Sequence, residues 1–333
     1  MNGSSRSPSK SNDAAFAALR RVGAMAAREL ALTALLLVGV SLVVFVILHL
    51  SPGDPFSVLL EGQGSGHAVS TSVREALGVP TTWYGRYLAW LGNMAHGNLG
   101  TSIRTGVPVA SEIARAGPST LYLTLGSLLV TLLLAVPVAL YSTSRTAGAL
   151  ARALTLAVYL VSAVPVFWLG YVVIYLVIHR FGVFPLLSAS AEPARHGWLY
   201  GLLPIVVLGV ANGTVSEVTR HLRGEIGRVL TEDYIRTARA KGAPVWRHAF
   251  KEGFLLPMTE MIAAKIPFVI GGAIIVEQVF NWPGLGRMAW QAAQDRDFPV
   301  ILGIALVAAA FVRLASLLRS VIYAGVNPRT ATE

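Results

Sequence analysis

The chain has 333 residues, of which 54% are hydrophobic and 13% are charged, whereas a soluble globular domain carries about 25% charged residues. This composition excludes an ordinary soluble domain and favours a membrane protein. The net charge of +10 is not a nucleic-acid signature, because the cations cluster in a few loops without a stacking platform or a recognition helix. The absence of cysteine also excludes disulfides, thiol catalysis and thiolate metal sites.

Six apolar runs are long enough to cross a bilayer, which takes about 20 residues. In chain order these predicted spans are 30–50, 118–141, 152–178, 199–218, 262–280 and 300–323. The first run is too long for the core of a signal peptide and no clear cleavage site follows it, so we interpret it as a retained span. The sequence therefore predicts an all-α polytopic membrane protein with six transmembrane helices.

Clusters of Lys and Arg predict the orientation of these spans. Cations concentrate in the polar tail 1–29, in the short loop after the second span and in the loop after the fourth span. The loops between them hold fewer cations per residue, and this group comprises the long region 51–117 together with 179–198 and 281–299. The positive-inside rule then places both termini in the cytoplasm, including the tail 324–333, and makes 51–117 extracytoplasmic.

Prolines and glycines interrupt several spans, at Pro137, Pro165, Pro204, Pro267, Gly271 and Gly272. A broken helix is tolerated in lipid where protein or a water-filled cavity satisfies the freed backbone groups. Two interpretations stay open, because membrane helices are rich in both residues in any case. The breaks reflect either ordinary membrane-helix composition or a bundle that must move.

The motifs of common enzymes are missing from the sequence. It contains no G-x-x-x-x-G-K-[ST], no H-E-x-x-H and no G-x-S-x-G, and its seven histidines lack the spacing of metal ligands. Ionisable residues in or near the spans are Glu217, Lys265, Glu277, Arg313 and Arg319. Arg313 alone is predicted to lie deep, and no carboxylate lies at mid-span, which disfavours a proton-coupled carrier.

Residues 231–250, TEDYIRTARAKGAPVWRHAF, form a basic segment that interrupts the apolar chain. Thr231 is the predicted N-cap of a helix over 232–241, and Gly242 is its predicted C-cap. Pro244 can begin a second short helix over 245–251, which is expected to stop near Gly253.

One predicted face of the first helix carries Tyr234, Ala238 and Lys241, and the small side chains of Ala238 and Ala240 would let another backbone approach. This face suits docking into a groove of a partner protein. The alternative is a basic loop that lies on anionic lipid headgroups.

Several ordered motifs resemble permease subunits of bacterial ATP-binding-cassette (ABC) importers, in the dipeptide, oligopeptide and nickel class. They are DYIRTARAKG followed by LLP at 255–257, SPGDP at 51–55, GNLGTSIRTGVPVASEI at 97–113, PSTLYLTLGS at 118–127, GGAIIVEQVFNWPGLGRMAWQAAQDRDFPVILG at 271–303 and NPR at 327–329. Together these motifs extend over almost the whole chain after about residue 28.

The resemblance implies a type I importer permease with the MetI-like fold, a transmembrane core over 118–323 and a coupling loop over 231–257. It implies three kinds of protein partner beside the lipid bilayer of the bacterial inner membrane: a second homologous permease, two cytoplasmic ATPases and an extracytoplasmic solute-binding protein. ATP and Mg²⁺ would be bound by the ATPases, and this chain would bind no cofactor and catalyse no reaction.

Carried over to this sequence, the resemblance assigns the ATPase contacts to Asp233, Tyr234, Arg236, Thr237, Ala238, Arg239, Ala240, Gly242, Trp246 and Arg247. The candidates for the translocation pathway are Pro165, Trp168, Asn212 and Arg313.

The sequence departs from the family pattern in two places. The spacing from Gly242 to Pro257 is about one helical turn shorter than is expected for this class of permease. In addition, arginines at positions 313 and 319 are unusual for the class. We expect these arginines to pair with a partner subunit or to tune the charge of the pathway.

Di- and oligopeptides are the expected substrates, with metal chelates, glutathione or glycosides as alternatives. An ion-coupled carrier ranks second, and an intramembrane enzyme third.

Overall fold

A computed structural model describes residues 8–50, 82–144, 148–181, 197–211 and 213–326, and no β-strand occurs within these ranges. The helices are α1 Pro8–Leu50, α2 Trp83–Ala95, α3 Val109–Ser144, α4 Ala149–Ser162, α5 Val166–Phe181, α6 Gly197–Val210, α7 Thr214–Val229, α8 Asp233–Ala240, α9 Val245–Phe250, α10 Leu256–Val279, α11 Leu285–Gln294 and α12 Phe298–Val326. A π-helical turn over Lys251–Leu255 joins α9 to α10. The all-α prediction is confirmed.

Three of the described helices are long and apolar enough to cross a membrane, over Arg28–Leu50, Val109–Thr143 and Phe298–Ile322. Two further spans result if each of two bent helix pairs crosses the membrane as one unit. The fifth predicted span, 262–280, coincides with α10 up to Val279, and the side chains of 265–270 lie outside the described part of the structure. The count of six spans therefore stays a prediction.

Helix α1 extends over Pro8–Leu50, so residues 8–29 of the predicted tail are helical. Helix α3 likewise begins at Val109, ahead of the predicted start of its span, and contains Pro118 and Pro137 without a break. The apolar pattern located the hydrophobic part of each helix, but a helix continues beyond that part as long as its backbone hydrogen bonds do.

The predicted third span is not one straight helix, because α4 and α5 meet at an angle of 95°. Pro165 has no N–H to donate and disfavours helical backbone in the residue before it, so α4 ends at Ser162 and α5 begins at Val166. A second bend of 51° separates α6 from α7, next to Gly213 with its left-handed φ of 73°.

The two bends satisfy each other's backbone groups. Gly213 N donates a hydrogen bond to the carbonyl of Ser162 at 2.9 Å, and Ser216 N donates to the Ser162 hydroxyl at 3.2 Å. Ser162 is buried. Since broken helices survive in lipid only when their freed groups find protein partners, the pair of bends forms one mutually supported feature.

Helix α3 lies at the centre of the described bundle and packs against α6, α7 and α10. A Cβ at Gly209 of α6 would come within 2.6 Å of the Ser127 carbonyl oxygen, so only glycine permits this approach. Thr131 Oγ1 donates to the Gly209 carbonyl at 2.6 Å across the same contact. Small residues and interhelical hydrogen bonds of this kind hold membrane helices together where the hydrophobic effect cannot.

Candidate functional site

The basic segment folds as two short helices joined by a tight turn, as the sequence predicts. Helix α8 ends in a Schellman motif, in which Ala243 N donates to the Ala238 carbonyl at 2.9 Å and Gly242 N to the Arg239 carbonyl at 3.0 Å. Gly242 has φ 68°, a conformation that is strained for residues with a Cβ. The predicted capping role of Gly242 is confirmed.

The predicted N-cap is wrong. Glu232 occupies that position and makes no side-chain capping bond, while Thr231 Oγ1 donates to the Arg228 carbonyl at 2.6 Å. Thr231 therefore satisfies a carbonyl at the end of α7 instead of an N–H at the start of α8. The short connection between the two helices decides which orphan group its hydroxyl can reach.

Helix α8 is held by a small apolar cluster of Val229, Ile235 and Ala249, with Leu230 and Val245 packed against it. Ile235 is fully buried, and Ala238 lies one turn further on the same side and is 5% exposed. Ala238 therefore faces the interior of its own chain, which corrects its predicted place on the docking face. Its small side chain admits the chain's own packing rather than the backbone of a partner.

The other predicted contact residues lie on the surface of the basic segment. Exposed are Asp233, Tyr234, Arg236, Thr237, Arg239, Ala240, Gly242, Trp246 and Arg247. Asp233 and Arg236 form an exposed ion pair at 3.3 Å. Arg239 and Arg247 form no ion pair within the described ranges, and the Trp246 side chain is 49% exposed. The segment thus presents unneutralised cations beside a large aromatic ring.

The second helix of the segment does not stop near Gly253. Helix α9 continues through the π-helical turn Lys251–Leu255 directly into α10. A Cβ added at Gly253 would come within 3.3 Å of the Val229 side chain, so the extra residue of the π turn lets the chain pass closely over the end of α7. This correction also accounts for the short spacing from Gly242 to Pro257, because no loop separates the second helix from α10.

A buried carboxylate lies at the opposite end of α10. Glu277 is 0% exposed; its Oε1 accepts from Thr120 Oγ1 at 2.6 Å and its Oε2 from Arg287 N at 2.8 Å. Thr120 Oγ1 in turn accepts from Leu285 N at 2.7 Å. Two first-turn N–H groups of α11 are thereby capped, and α3, α10 and α11 are joined at one point.

Two glycines make this contact possible. The first turn of α11 passes so close that a Cβ at Gly284 would overlap the Glu277 carboxylate, and a Cβ at Gly286 would come within 2.6 Å of Ile274 Cα. We call Glu277, Thr120, Gly284 and Gly286 the Glu277 cluster.

Asp297 is a second buried carboxylate nearby in the chain. It accepts a hydrogen bond from Ser102 Oγ at 2.5 Å and another from Arg104 N at 3.3 Å.

Comparison with known proteins identifies the family. A family profile described as the binding-protein-dependent transport system inner membrane component matches residues 122–332. The chain belongs to this family. It is a transmembrane permease subunit of an ABC importer, and thus a transport component rather than an enzyme.

Three named relatives align over nearly the full length of the permease. It is 35% identical over 302 residues to the oligopeptide transport system permease protein AppB of Bacillus subtilis (strain 168), covering 88% of this chain and 95% of that one. It is 31% identical over 325 residues to the probable D,D-dipeptide transport system permease protein DdpB of Escherichia coli (strain K12), covering 89% and 94%. The glutathione transport system permease protein GsiC of the same strain is 33% identical over 294 residues, covering 87% and 92%.

The described pathway candidates of the permease lie on two different elements. Pro165 and Trp168 lie at the bend between α4 and α5, where both are exposed, and Asn212 lies outside the described residues. Arg313 of α12 forms an ion pair with Glu29 of α1 and donates from Nε to Thr33 Oγ1 at 2.9 Å. Arg313 therefore has an acidic partner within its own chain, and the expectation that it pairs with a partner subunit or tunes the charge of the pathway stays a prediction.

Sequence reasoning missed the Glu277 cluster. The sequence places Glu277 near the outer end of the fifth predicted span, whereas the structure buries it completely. One signal could have found it: a carboxylate followed within nine residues by a helix start and both glycines of PGLG. This spacing suits an acid that folds back onto a helix N-terminus.

Proposed function

We propose that this permease forms half of the translocation pathway of an ATP-driven importer for di- and oligopeptides. Two of the relatives above are named as oligopeptide and D,D-dipeptide permeases. A third is named as a glutathione permease, and glutathione is itself a tripeptide. Short peptides are therefore the substrate class that the names of these relatives share.

In this proposal the permease works with the partners that its family description implies. A second homologous permease supplies the other half of the pathway, two cytoplasmic ATPases hold ATP and Mg²⁺, and a solute-binding protein delivers the peptide outside. Both termini and the basic segment face the cytoplasm, which is supported by the concentration of cations in the tail 1–29 and after α7.

The proposed contact with the ATPases rests on the exposed face of the basic segment. Arg239, Arg247 and Trp246 project from a unit that is anchored by Ile235 and closed by the Gly242 turn. Arg and Trp are the side chains most enriched among residues that dominate binding energy at protein interfaces. A pre-organised pair of helices loses little conformational entropy when it docks.

The connections of the segment allow movement there to reach the core. Helix α8 follows α7 after three residues, and α9 runs through the π-helical turn into α10. Both α7 and α10 pack against the central helix α3. A displacement of the segment by an ATPase would therefore act on two core helices at once, as alternating access requires.

Co-purification tests the docking surface. We expect Arg239→Glu and Trp246→Ala each to weaken recovery of the ATPases with the tagged permease by about tenfold or more, the loss typical of a central interface anchor. Arg180→Glu and Trp290→Ala are matched controls, because Arg180 is exposed near the end of α5 and Trp290 is 49% exposed on α11. Normal ATPase recovery and uptake by both segment variants would refute the assignment.

Uptake in cells tests the substrate class. Cells that lack this permease should lose uptake of labelled trialanine and regain it with the intact gene, while the Trp246→Ala variant should not restore it. Unlabelled glutathione and a nickel chelate serve as competitors. Strong competition by either one, with no competition by unlabelled peptides, would replace peptides by that substrate class.

A further inference from the structure

An arginine-lined pocket lies between α4 and α7, just ahead of the basic segment. Two adjoining cavities of about 570 and 220 Å³ share Thr155, Tyr159 and Arg223 in their walls. We define the arginine pocket by six lining residues: Arg152, Thr155 and Tyr159 of α4, and Thr219, Arg220 and Arg223 of α7. Arg152, Thr155 and Tyr159 recur at intervals of three and four residues, and Arg223 follows Arg220 by three and Thr219 by four, so each set lies on one side of its helix.

Three guanidinium groups supply most of the hydrogen-bond donors of the pocket, and the lining side chains that can accept are hydroxyls. None of its lining residues is acidic, and Arg152, Arg220 and Arg223 form no ion pair or hydrogen bond with any residue that the structure describes. The two threonine hydroxyls already donate to the backbone, Thr155 to the Ala151 carbonyl at 2.8 Å and Thr219 to the Val215 carbonyl at 2.7 Å. Three guanidinium groups therefore line the cavities with no acidic side chain among the lining residues, an arrangement that favours a phosphate.

An apolar surface continues from the pocket along α4. Leu156 and Leu160 are 58% and 63% exposed, and Leu156 also lines the smaller cavity. A soluble anion would use only the arginines. An amphiphile would place its charged head among the arginines and its hydrocarbon chain along these leucines.

Glycines on α7 create much of the open space. Gly224 and Gly227 line the larger cavity, and a Cβ added at either would meet no heavy atom within 4 Å. The absence of side chains at these positions leaves room for a headgroup. It also means that a larger side chain can be introduced there without a clash.

We propose that the arginine pocket binds the phosphate of an anionic phospholipid. In the orientation proposed above, the pocket lies at the cytoplasmic ends of α4 and α7, and basic pockets between helices at that level are suited to anionic headgroups. Binding is a property of this chain, so its test does not depend on the substrate or on the ATPases.

Native mass spectrometry of the full-length chain tests the proposal. The probes are dioleoylphosphatidylglycerol and dioleoylphosphatidylcholine, each added to the detergent-purified protein. We expect preferential retention of the phosphatidylglycerol. Arg220→Gln and Arg223→Gln should each weaken its binding by about fivefold, the order of one cation's attraction to an anionic membrane surface.

Two further variants separate a site from general surface charge. Gly227→Leu should abolish retention by filling the cavity without a change of charge, and Arg319→Gln should leave retention intact because Arg319 is exposed on α12, outside the pocket. Each variant is first shown to be monodisperse by size-exclusion chromatography, so that a loss of binding is not a loss of fold.

Four results would overturn the proposal. They are equal retention of the two lipids, an equal loss in Arg319→Gln, undiminished retention in Gly227→Leu, and full displacement of phosphatidylglycerol by millimolar inorganic phosphate, which would make the ligand a free anion. Binding by the isolated chain that vanishes in the assembled transporter would assign the pocket to an acidic segment of a partner subunit instead.

Discussion

The basic segment before α10 exposes its charged and aromatic side chains and is held by a cluster of only a few buried residues. At the other end of α10, Glu277 is fully buried and each of its carboxylate oxygens accepts a hydrogen bond. One helix thus joins a surface suited to partners that bind and release to a point where three helices are fixed together. The difference indicates that substitutions near Val279 should affect folding, whereas substitutions of exposed residues near Val245 should affect association.

The largest effect is expected for Glu277→Ala. Removal of the carboxylate leaves Arg287 N and the Thr120 hydroxyl without their acceptor, and buried unsatisfied groups of this kind cost about 1–3 kcal/mol each. Thermal unfolding in detergent should show a clear loss of stability. Glu260→Ala is the control, because Glu260 is exposed on the same helix; equal unfolding temperatures for the two variants would contradict a structural role for Glu277.

A somewhat smaller effect is expected for Gly286→Ala. The added methyl would lie 2.6 Å from Ile274 Cα, and because backbone must move to admit it, the cost should be about 1–3 kcal/mol. A Cβ added at Gly271 of α10 would meet no heavy atom within 4 Å, so Gly271→Ala should be neutral or stabilising. The same unfolding assay compares the two, and an unchanged Gly286→Ala protein would show that α11 can shift freely.

Two alanines of α8 test whether exposed residues of the basic segment affect association while buried ones affect folding. Ala238 is 5% exposed, whereas Ala240 is exposed. Ala238→Leu should therefore destabilise the chain by about 1–3 kcal/mol through overpacking. Ala240→Leu should change stability by no more than about 0.5 kcal/mol but reduce ATPase recovery. The reverse ranking in thermal unfolding would mean that α8 packs with its other face inward.

The smallest effect is expected for the contact between α1 and α12. Glu29 is 45% and Arg313 19% exposed at their side chains, so solvent screens much of the attraction and a coupling energy of about 1 kcal/mol or less is expected. A double-mutant cycle of Glu29→Gln and Arg313→Gln measures it. If the two substitutions have strictly additive effects on the free energy of unfolding, and Arg313→Gln alone prevents assembly with the partner subunits, Arg313 would be assigned to a contact with a partner subunit.

Local sequence signals predicted the basic segment well. The acids at its start, Gly242 and Pro244 were enough to locate α8 and the turn that ends it, because a Schellman motif depends on a few neighbouring residues. The errors arose where the segment meets the end of α7. Thr231 caps the end of α7 and Gly253 packs over Val229, and neither contact is visible in the segment alone.

By itself the sequence determined that this protein is an α-helical membrane permease, where its apolar segments lie, and which segment carries exposed cations. These properties follow from composition, the length of apolar runs and ordered motifs, all of which are local along the chain. The tertiary structure alone decided that Ala238 is inward, that Arg313 meets Glu29, and that Glu277 joins α3, α10 and α11. The reason is that burial and hydrogen-bond partnership depend on which helices meet, and residues 157 positions apart, such as Thr120 and Glu277, become neighbours only in the folded bundle.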